Sequence, residues 1–277
     1  MAEALAGVLP VVDAVRRAVA VLAQAGCESP RLDAELLLAA ALGVGRERLL
    51  IDASTPLLDP ARAVFDAYVA RRLAREPVAY ILARKEFRRI TLAVDRRALI
   101  PRPETELLVE VGSSVAPGAR VVDVGTGSGA VALALADERP DLSLTATDID
   151  ADALALAGSN ASRLGLPEVR FEQADLLVGV QGPFDAVLAN LPYVPDGFPL
   201  APEIASYEPP SALFAGADGL DLVRRLVAML GAVPTVALEV GAGQAPAVRE
   251  LLAGAGYGAV ESVLDLAGHE RVVVGRR

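Results

Sequence analysis

A single cysteine and a single histidine in 277 residues remove several kinds of chemistry at once. Cys27 has no partner for an internal disulfide and cannot build a cysteine-based metal cluster. It lies in a small-residue stretch, Ala25-Gly26-Cys27, and reads as structural. His269 alone cannot supply a metal site, and no Ser or Cys motif points to a triad around it, so no metal and no catalytic role are expected. Long apolar runs are missing too. No charge-free stretch of about 18 such residues occurs, so no spanning helix is expected. The start, Met1-Ala2-Glu3-Ala4, lacks the basic region of a secretion signal, which makes the cytoplasm the expected compartment. Lysine is nearly absent, with Lys85 the exception among 26 basic residues, and this supports no functional inference. No internal repeat and no low-complexity linker interrupts the chain.

What is present is an apolar, acidic chain, 53% hydrophobic and 22% charged, with a net charge of −10. The length allows two domains or one large one. Residues 1–85 carry 11 Arg plus Lys against 10 Asp plus Glu, while residues 86–277 carry 15 against 26. The acidic charge therefore belongs to the later part. It repels a phosphate backbone and disfavours a duplex nucleic acid as substrate.

The first 80 residues read as helices joined by short turns: Val11 to Ala25, Arg31 to Leu42, and Ala61 to Arg75 opened by Pro60. From Glu86 to Val94 the pattern alternates as in a short hairpin. After Pro101, strands at about 121–124, 143–147, 184–189 and 234–240 alternate with helical stretches at about 104–115, 129–138, 151–164, 219–230 and 244–256. That alternation predicts an α/β fold, a parallel sheet with helices on both faces. The tail, Ala259 to Leu264 and Arg271 to Val274 about Gly268, predicts a closing hairpin. The expected division is a helical domain over 1–82, a hairpin connector over 83–97 and a catalytic domain over 98–277.

Val121-Val122-Asp123-Val124-Gly125-Thr126-Gly127-Ser128-Gly129 reads as a buried strand running into a nucleotide-binding turn. Gly125, Gly127 and Gly129 let the backbone approach a ligand where a Cβ would collide, and the following helix points free N–H groups at the same place. Asp148 ends the next strand, where a carboxylate accepts hydrogen bonds from a ribose diol. The loop also fits a loose dinucleotide fingerprint, Gly125-x-Gly127-x-x-Ala130. Asp123 separates the two readings. A carboxylate there opposes a pyrophosphate but attracts the sulfonium and ammonium groups of S-adenosylmethionine. Asp175 can reach an adenine amino group, with Leu176 lining the ring; a turn or helix cap is the other reading of Asp175.

Asn190-Leu191-Pro192-Tyr193 closes the next apolar run. It offers a planar –NH2 two acceptors in a row, the Asn190 side-chain carbonyl and the Leu191 backbone carbonyl. Pro192 stiffens the turn and Tyr193 adds an aromatic wall. Together with the glycine loop this predicts methyl transfer onto a planar nitrogen.

Leu99-Ile100-Pro101-Arg102-Pro103-Glu104-Thr105-Glu106, Tyr207-Glu208-Pro209, Gly216-Ala217-Asp218-Gly219-Leu220 and Asp265-Leu266-Ala267-Gly268 complete the picture. With these segments the chain resembles the protein-(glutamine-N(5)) methyltransferases of the HemK/PrmC type. The resemblance implies a seven-stranded, class I, Rossmann-like methyltransferase domain behind a small helical bundle that docks the partner. It implies methylation of the glutamine in the Gly-Gly-Gln motif of class-1 peptide chain release factors, with S-adenosylmethionine as donor and S-adenosylhomocysteine as product. It further implies donor contacts from Gly125, Thr126, Gly127, Ser128, Gly129, Asp148, Asp175 and Leu176, with Arg102 and Thr105 helping to close the donor pocket. Asn190 and the Leu191 carbonyl would hold the substrate amide and Tyr193 would pack on it. A monomer with no direct nucleic-acid or membrane partner is expected.

The chain departs from the family twice. Leu191 stands where Asn-Pro-Pro-Tyr is usual, and Ala83 stands where glycine is frequent. The first departure brings the turn closer to the Asn-Leu-Pro-Tyr of ribosomal RNA adenine dimethylases. Adenine in RNA or DNA, which presents the same planar amino group, is therefore the alternative substrate. A non-catalytic binding protein on a methyltransferase scaffold is the third reading, opposed by the intact Gly125–Gly129 loop, Asp148 and Asn190.

Overall fold

The computed structural model describes residues 9–277; the first eight, on which the expectation about a leader segment rests, lie outside them. Two compact units are present. One ends at Ala83 and also takes in Ala201–Tyr207; the other comprises Arg84–Leu200 and Glu208–Arg277.

The helical unit holds α1 (Val11–Gln24), α2 (Pro30–Leu42), α3 (Arg48–Ile51), α4 (Asp59–Leu73) and α5 (Val78–Ile81). In α1 the buried residues Val11, Ala14, Ala18 and Leu22 recur every three or four positions, which places them on one face. Pro30 opens α2 and Gly43 ends it at φ 68°, a left-handed cap that suits glycine. Leu22, Leu37, Leu38 and Phe65 fill the core between them, each burial worth about 1.5–3 kcal/mol. A buried ionic group adds to this. Arg72 bonds Asp33 at 2.8 Å and Glu203 at 2.9 Å, and Arg75 bonds Glu203 at 2.7 Å. Glu203 lies on a short helix, Pro202–Tyr207, whose Tyr207 hydroxyl donates to the Ala74 carbonyl at 2.7 Å. The lone Cys27 is buried beside this group, and burial raises its thiol pKa.

Ala83 has φ 51°, in the left-handed region that penalises a Cβ. A glycine at this position would meet no such penalty.

The second unit opens with the hairpin β1 (Arg84–Phe87) and β2 (Ile90–Ala93), then α6 (Glu106–Ser113). It continues through β3 (Arg120–Val124), α7 (Ala130–Glu138), β4 (Ser143–Asp148), α8 (Ala151–Leu164), β5 (Arg170–Gln173) and β6 (Ala186–Ala189). With Pro202–Tyr207 as α9, the rest is α10 (Asp221–Met229), β7 (Thr235–Glu239), α11 (Ala245–Gly254), β8 (Ala259–Leu264) and β9 (Glu270–Arg276). The seven-stranded sheet runs β5-β4-β3-β6-β7-β9-β8, with β9 antiparallel to both β7 and β8 and the other pairs parallel. All four residues of β6 are buried, as are four of the five in β3 and in β7. Continuous burial is what a parallel strand covered on both faces requires, and explains their unbroken apolar runs.

One strand escapes the periodicity. β5, Arg-Phe-Glu-Gln, lies at the sheet edge with no fully buried residue, so it shows neither an apolar run nor a clean alternation.

Candidate active site

β3 pairs with β4 on one side and with β6 on the other, so the chain reverses direction across the sheet at β3. The carboxyl ends of strands on either side of such a switch point leave a crevice. A cavity of about 310 Å³ opens there, within the size range of small-ligand sites.

Its floor is the turn after β3. The N–H groups of Gly125 and Thr126 both donate to the Thr147 carbonyl at 2.9 Å, which folds the loop back over β4. Gly125, Gly127 and Gly129 have φ of 75°, 56° and 86°. A Cβ on Gly125 would lie 3.1 Å from Leu191 Cδ2, so the loop and the Asn-Leu-Pro-Tyr turn meet there. Gly125, Thr126, Gly127 and Ser128 line the cavity; Gly129 lies behind it and caps α7. Asn160, fully buried on α8, holds this floor. Its Nδ2 donates to the carbonyls of Ser128 and Ala93 at 2.9 and 3.0 Å, and its Oδ1 accepts from Ala93 N–H at 2.8 Å.

Carboxylates dominate the polar lining. Asp123 is 3% exposed and accepts on one oxygen, Oδ2, from the Thr126 hydroxyl at 2.7 Å and the Ala132 N–H at 3.2 Å. Burial pushes its pKa up to about 6 against those two bonds. Asp148 accepts from Gly127 N–H at 2.9 Å and from Asp150 N–H at 3.0 Å, and burial raises its pKa as well. Asp175 lines the same cavity while accepting from Arg225 at 2.6 Å. Leu176 also faces it, at φ 56°, a strained conformation for leucine that the Thr147 hydroxyl secures by donating to its carbonyl at 3.1 Å.

The acceptor turn forms another wall. Asn190, Leu191 and Pro192 line the cavity and Tyr193 does not. The Tyr193 carbonyl instead accepts from Gln244 Nε2 at 2.9 Å, and its ring lies over Gly241, where a Cβ would come within 3.1 Å. Burial pushes the Tyr193 phenol up to about 12, with nearby Glu239 adding to the rise. Asn190 Nδ2 donates to the Thr105 hydroxyl oxygen at 3.0 Å, so the side-chain carbonyl is its remaining polar end. Leu191 is buried in the core with Val124 and Leu220, which restrains the residue by packing in place of the fixed φ that a proline would give.

Sequence reasoning left Glu208 without a role and did not single out Asn160, Gln244 or Glu239. Glu208 is buried, takes the Ile100 N–H at 3.1 Å and pairs with Arg102, which ties the Ile-Pro-Arg-Pro-Glu-Thr-Glu segment to the residues before Pro209. Arg102 therefore serves that anchor and does not itself line the cavity, whereas Thr105 does. His269 lies in the β8–β9 turn, outside the cavity lining. Among the described residues no cluster of three His, Cys, Asp or Glu side chains could hold a metal ion, and no helix is long and apolar enough to cross a membrane.

Four aspartates against two arginines around the crevice oppose a pyrophosphate and suit a cationic nucleoside. On this sheet, that lining defines the class: a Rossmann-like, S-adenosylmethionine-dependent methyltransferase. Comparison with known proteins agrees. The PrmC N-terminal domain model matches residues 13–82, and the methyltransferase small domain model matches residues 103–199. The chain is 43% identical to a release factor glutamine methyltransferase of Pseudomonas aeruginosa, over 90% of this chain and 93% of that one. It is 40% identical to the protein of the same description from Deinococcus radiodurans, over 96% and 98%. Among solved structures, the hMettl16 catalytic domain superposes with a TM-score of 0.57 at 16% identity, over 76% of this chain and 81% of that one, a likeness of fold alone. The chain belongs to the release factor glutamine methyltransferase family.

Proposed function

We propose that this protein transfers the methyl group of S-adenosylmethionine to the side-chain amide nitrogen of the glutamine in the Gly-Gly-Gln motif of class-1 peptide chain release factors, modulating translation termination. The observation that carries the reading is Asn190, at the carboxyl edge of β6, with its –NH2 engaged by Thr105 and its carbonyl left as the free end. The relatives that match nearly the whole chain give the substrate class.

When bound, S-adenosylmethionine supplies an electrophilic methyl on a sulfonium. Asp123 would face its positive charge, Asp148 would take the ribose diol, and the Asp175–Leu176 segment would take the adenine. The Gly125–Gly129 loop would let the backbone close on it, and Thr105 would line the far wall, on a segment that Arg102 anchors through Glu208. An amide nitrogen is a poor nucleophile because its lone pair is delocalised into the carbonyl. Asn190 Oδ1 and the Leu191 carbonyl would accept both amide protons and fix the nitrogen in line with the methyl. Such positioning is worth up to about 7–11 kcal/mol in the best cases. Bonds to the charging nitrogen strengthen in the transition state by about 1.5–3 kcal/mol each. Tyr193 would pack against the substrate side chain once it is bound.

The helical domain, residues 1–82, would dock the release factor, and the enzyme would act as a cytoplasmic monomer. Leu50 and Ile51 are 76% and 69% exposed on that unit and give it an apolar contact. Leu50→Asp with Ile51→Asp should raise the KM for an intact release factor at least about fivefold while donor affinity stays constant. An unchanged KM would remove the docking role from this patch. The activity itself is tested by incubating the protein with labelled donor and either a release factor or RNA. Label in the protein is expected; label in RNA alone would mean the adenine reading.

A further inference from the structure

Gly216-Ala217-Asp218-Gly219-Leu220 and Gln244 lie outside the cavity lining, yet both close on the acceptor turn. Gln244 stands at the start of α11. Its Oε1 accepts from the Gly241 N–H at 2.8 Å, and its Nε2 donates to the Tyr193 carbonyl at 2.9 Å and the Asp218 carbonyl at 3.0 Å. Every partner is a backbone group that can only donate or only accept, so the amide can face only this way. The acceptor end serves the residue's own loop. A glutamate would do that equally well and would suit the positive end of the α11 dipole. The –NH2 end is what glutamine adds, and it places both protons on segments 51 and 26 positions away.

Gly219 closes the other side. It has φ 75°, and a Cβ there would lie 2.1 Å from the Tyr193 carbonyl oxygen, nearer than any side chain can stand. That oxygen is therefore bonded by Gln244 and packed against bare backbone. One residue on, Val194 donates to the Leu213 carbonyl at 2.9 Å and accepts from the Ala215 N–H at 3.0 Å. At its other end the turn grows out of β6, whose Ala189 is in register with Val124 and Leu238. Asn190, Leu191 and Pro192 span the gap between the sheet and this seat. Pro192 has no N–H with which to anchor it midway.

We infer that Gln244 is a positioning residue: with Gly219 it seats the Tyr193 carbonyl and so fixes where Asn190 Oδ1 and the Leu191 carbonyl point. This rests on the reading that those two oxygens hold the acceptor amide. Gln244→Met keeps the length and bulk of the side chain but removes both N–H donors. Turnover on a release factor should fall at least about tenfold, with the KM for the release factor and the donor affinity by calorimetry each within about threefold. Gly219→Ala displaces the same oxygen from the opposite side. It should give a turnover loss of the same kind, and it tests the seat should Gln244→Met fail to fold.

A second variant of α11 separates positioning from general support. Leu252 is fully buried, outside the cavity lining and about 12 Å further along the helix. Leu252→Ala should lower the thermal midpoint while turnover on the release factor stays within about twofold. A Gln244→Met enzyme within about twofold of the unsubstituted turnover would overturn the proposal while leaving the acceptor reading intact. So would a turnover loss matched by Leu252→Ala, or one accompanied by an equal loss of donor affinity. Full turnover in Asn190→Ala would overturn the acceptor reading, and this proposal with it.

Discussion

Replacing Asp123 with Asn should make the ligand-free protein more stable and a poorer donor binder. The carboxylate is 3% exposed, and burial lifts its pKa from 3.8 to about 6. A difference of about two pKa units corresponds to about 3 kcal/mol that the ionised group withholds from the folded state near neutral pH. Asn preserves what the carboxylate gives the fold, because the bonds from Thr126 and Ala132 fall on a single oxygen that an amide carbonyl can replace. The folded state holds the Asp123 proton more tightly than the unfolded chain does. This site therefore adds stability as pH falls through about 6 toward 4, and loses it as pH rises. Urea titrations of both proteins should show the Asn variant ahead by about 3 kcal/mol near pH 7.5, the lead shrinking to about 0.5 kcal/mol near pH 4. Calorimetry at the higher pH should show S-adenosylmethionine binding weakened at least about tenfold, because an attraction to a cationic ligand is gone. A variant less stable than its parent near neutral pH, or a lead that does not change with pH, would refute the reasoning about burial. Undiminished donor affinity would refute Asp123 as a partner of the donor.

Asn190→Ala should lower turnover at least about 100-fold, or about 2.7 kcal/mol, while donor affinity by calorimetry stays within an order of magnitude; unchanged turnover would mean that Asn190 does not orient the acceptor. Gly125→Ala places a Cβ at φ 75° and 3.1 Å from Leu191 Cδ2, so thermal unfolding should show a loss of about 1–2 kcal/mol together with weaker donor binding. Arg72→Met leaves Asp33 without its partner and takes one of two from Glu203, so denaturant unfolding should show about 3–5 kcal/mol of destabilisation.

The parallel sheet was legible because burial on both faces of β3, β6 and β7 demands unbroken apolar runs, which sequence shows directly. The edge strand β5 was not, since two of its four residues, Arg170 and Gln173, are exposed and Arg170 and Glu172 break the pattern. The glycine loop announced itself through residues that tolerate positive φ. Leu176 adopts the same kind of backbone without a glycine to mark it, and its place was suggested only by the Asp before it. The least legible group is the support layer. Asn160, Glu208 and Gln244 lie far along the chain from Ser128, Arg102 and Tyr193, the residues they hold. Their side chains carry no motif, and only the folded sheet brings them into bonding distance. The segment Ala201–Tyr207 belongs with the helical unit for a like reason: Glu203 finds its partners at Arg72 and Arg75.

The central claim is that the turn after β6 presents two carbonyl oxygens to a glutamine amide. Mass spectrometry with peptide fragmentation, applied to a release factor after incubation with this protein and S-adenosylmethionine, tests it most directly. The added methyl should lie on the side-chain nitrogen of the glutamine in Gly-Gly-Gln and vanish when that glutamine is replaced. A methyl on any other residue, or an unmodified release factor beside a methylated adenine in RNA, would contradict the account.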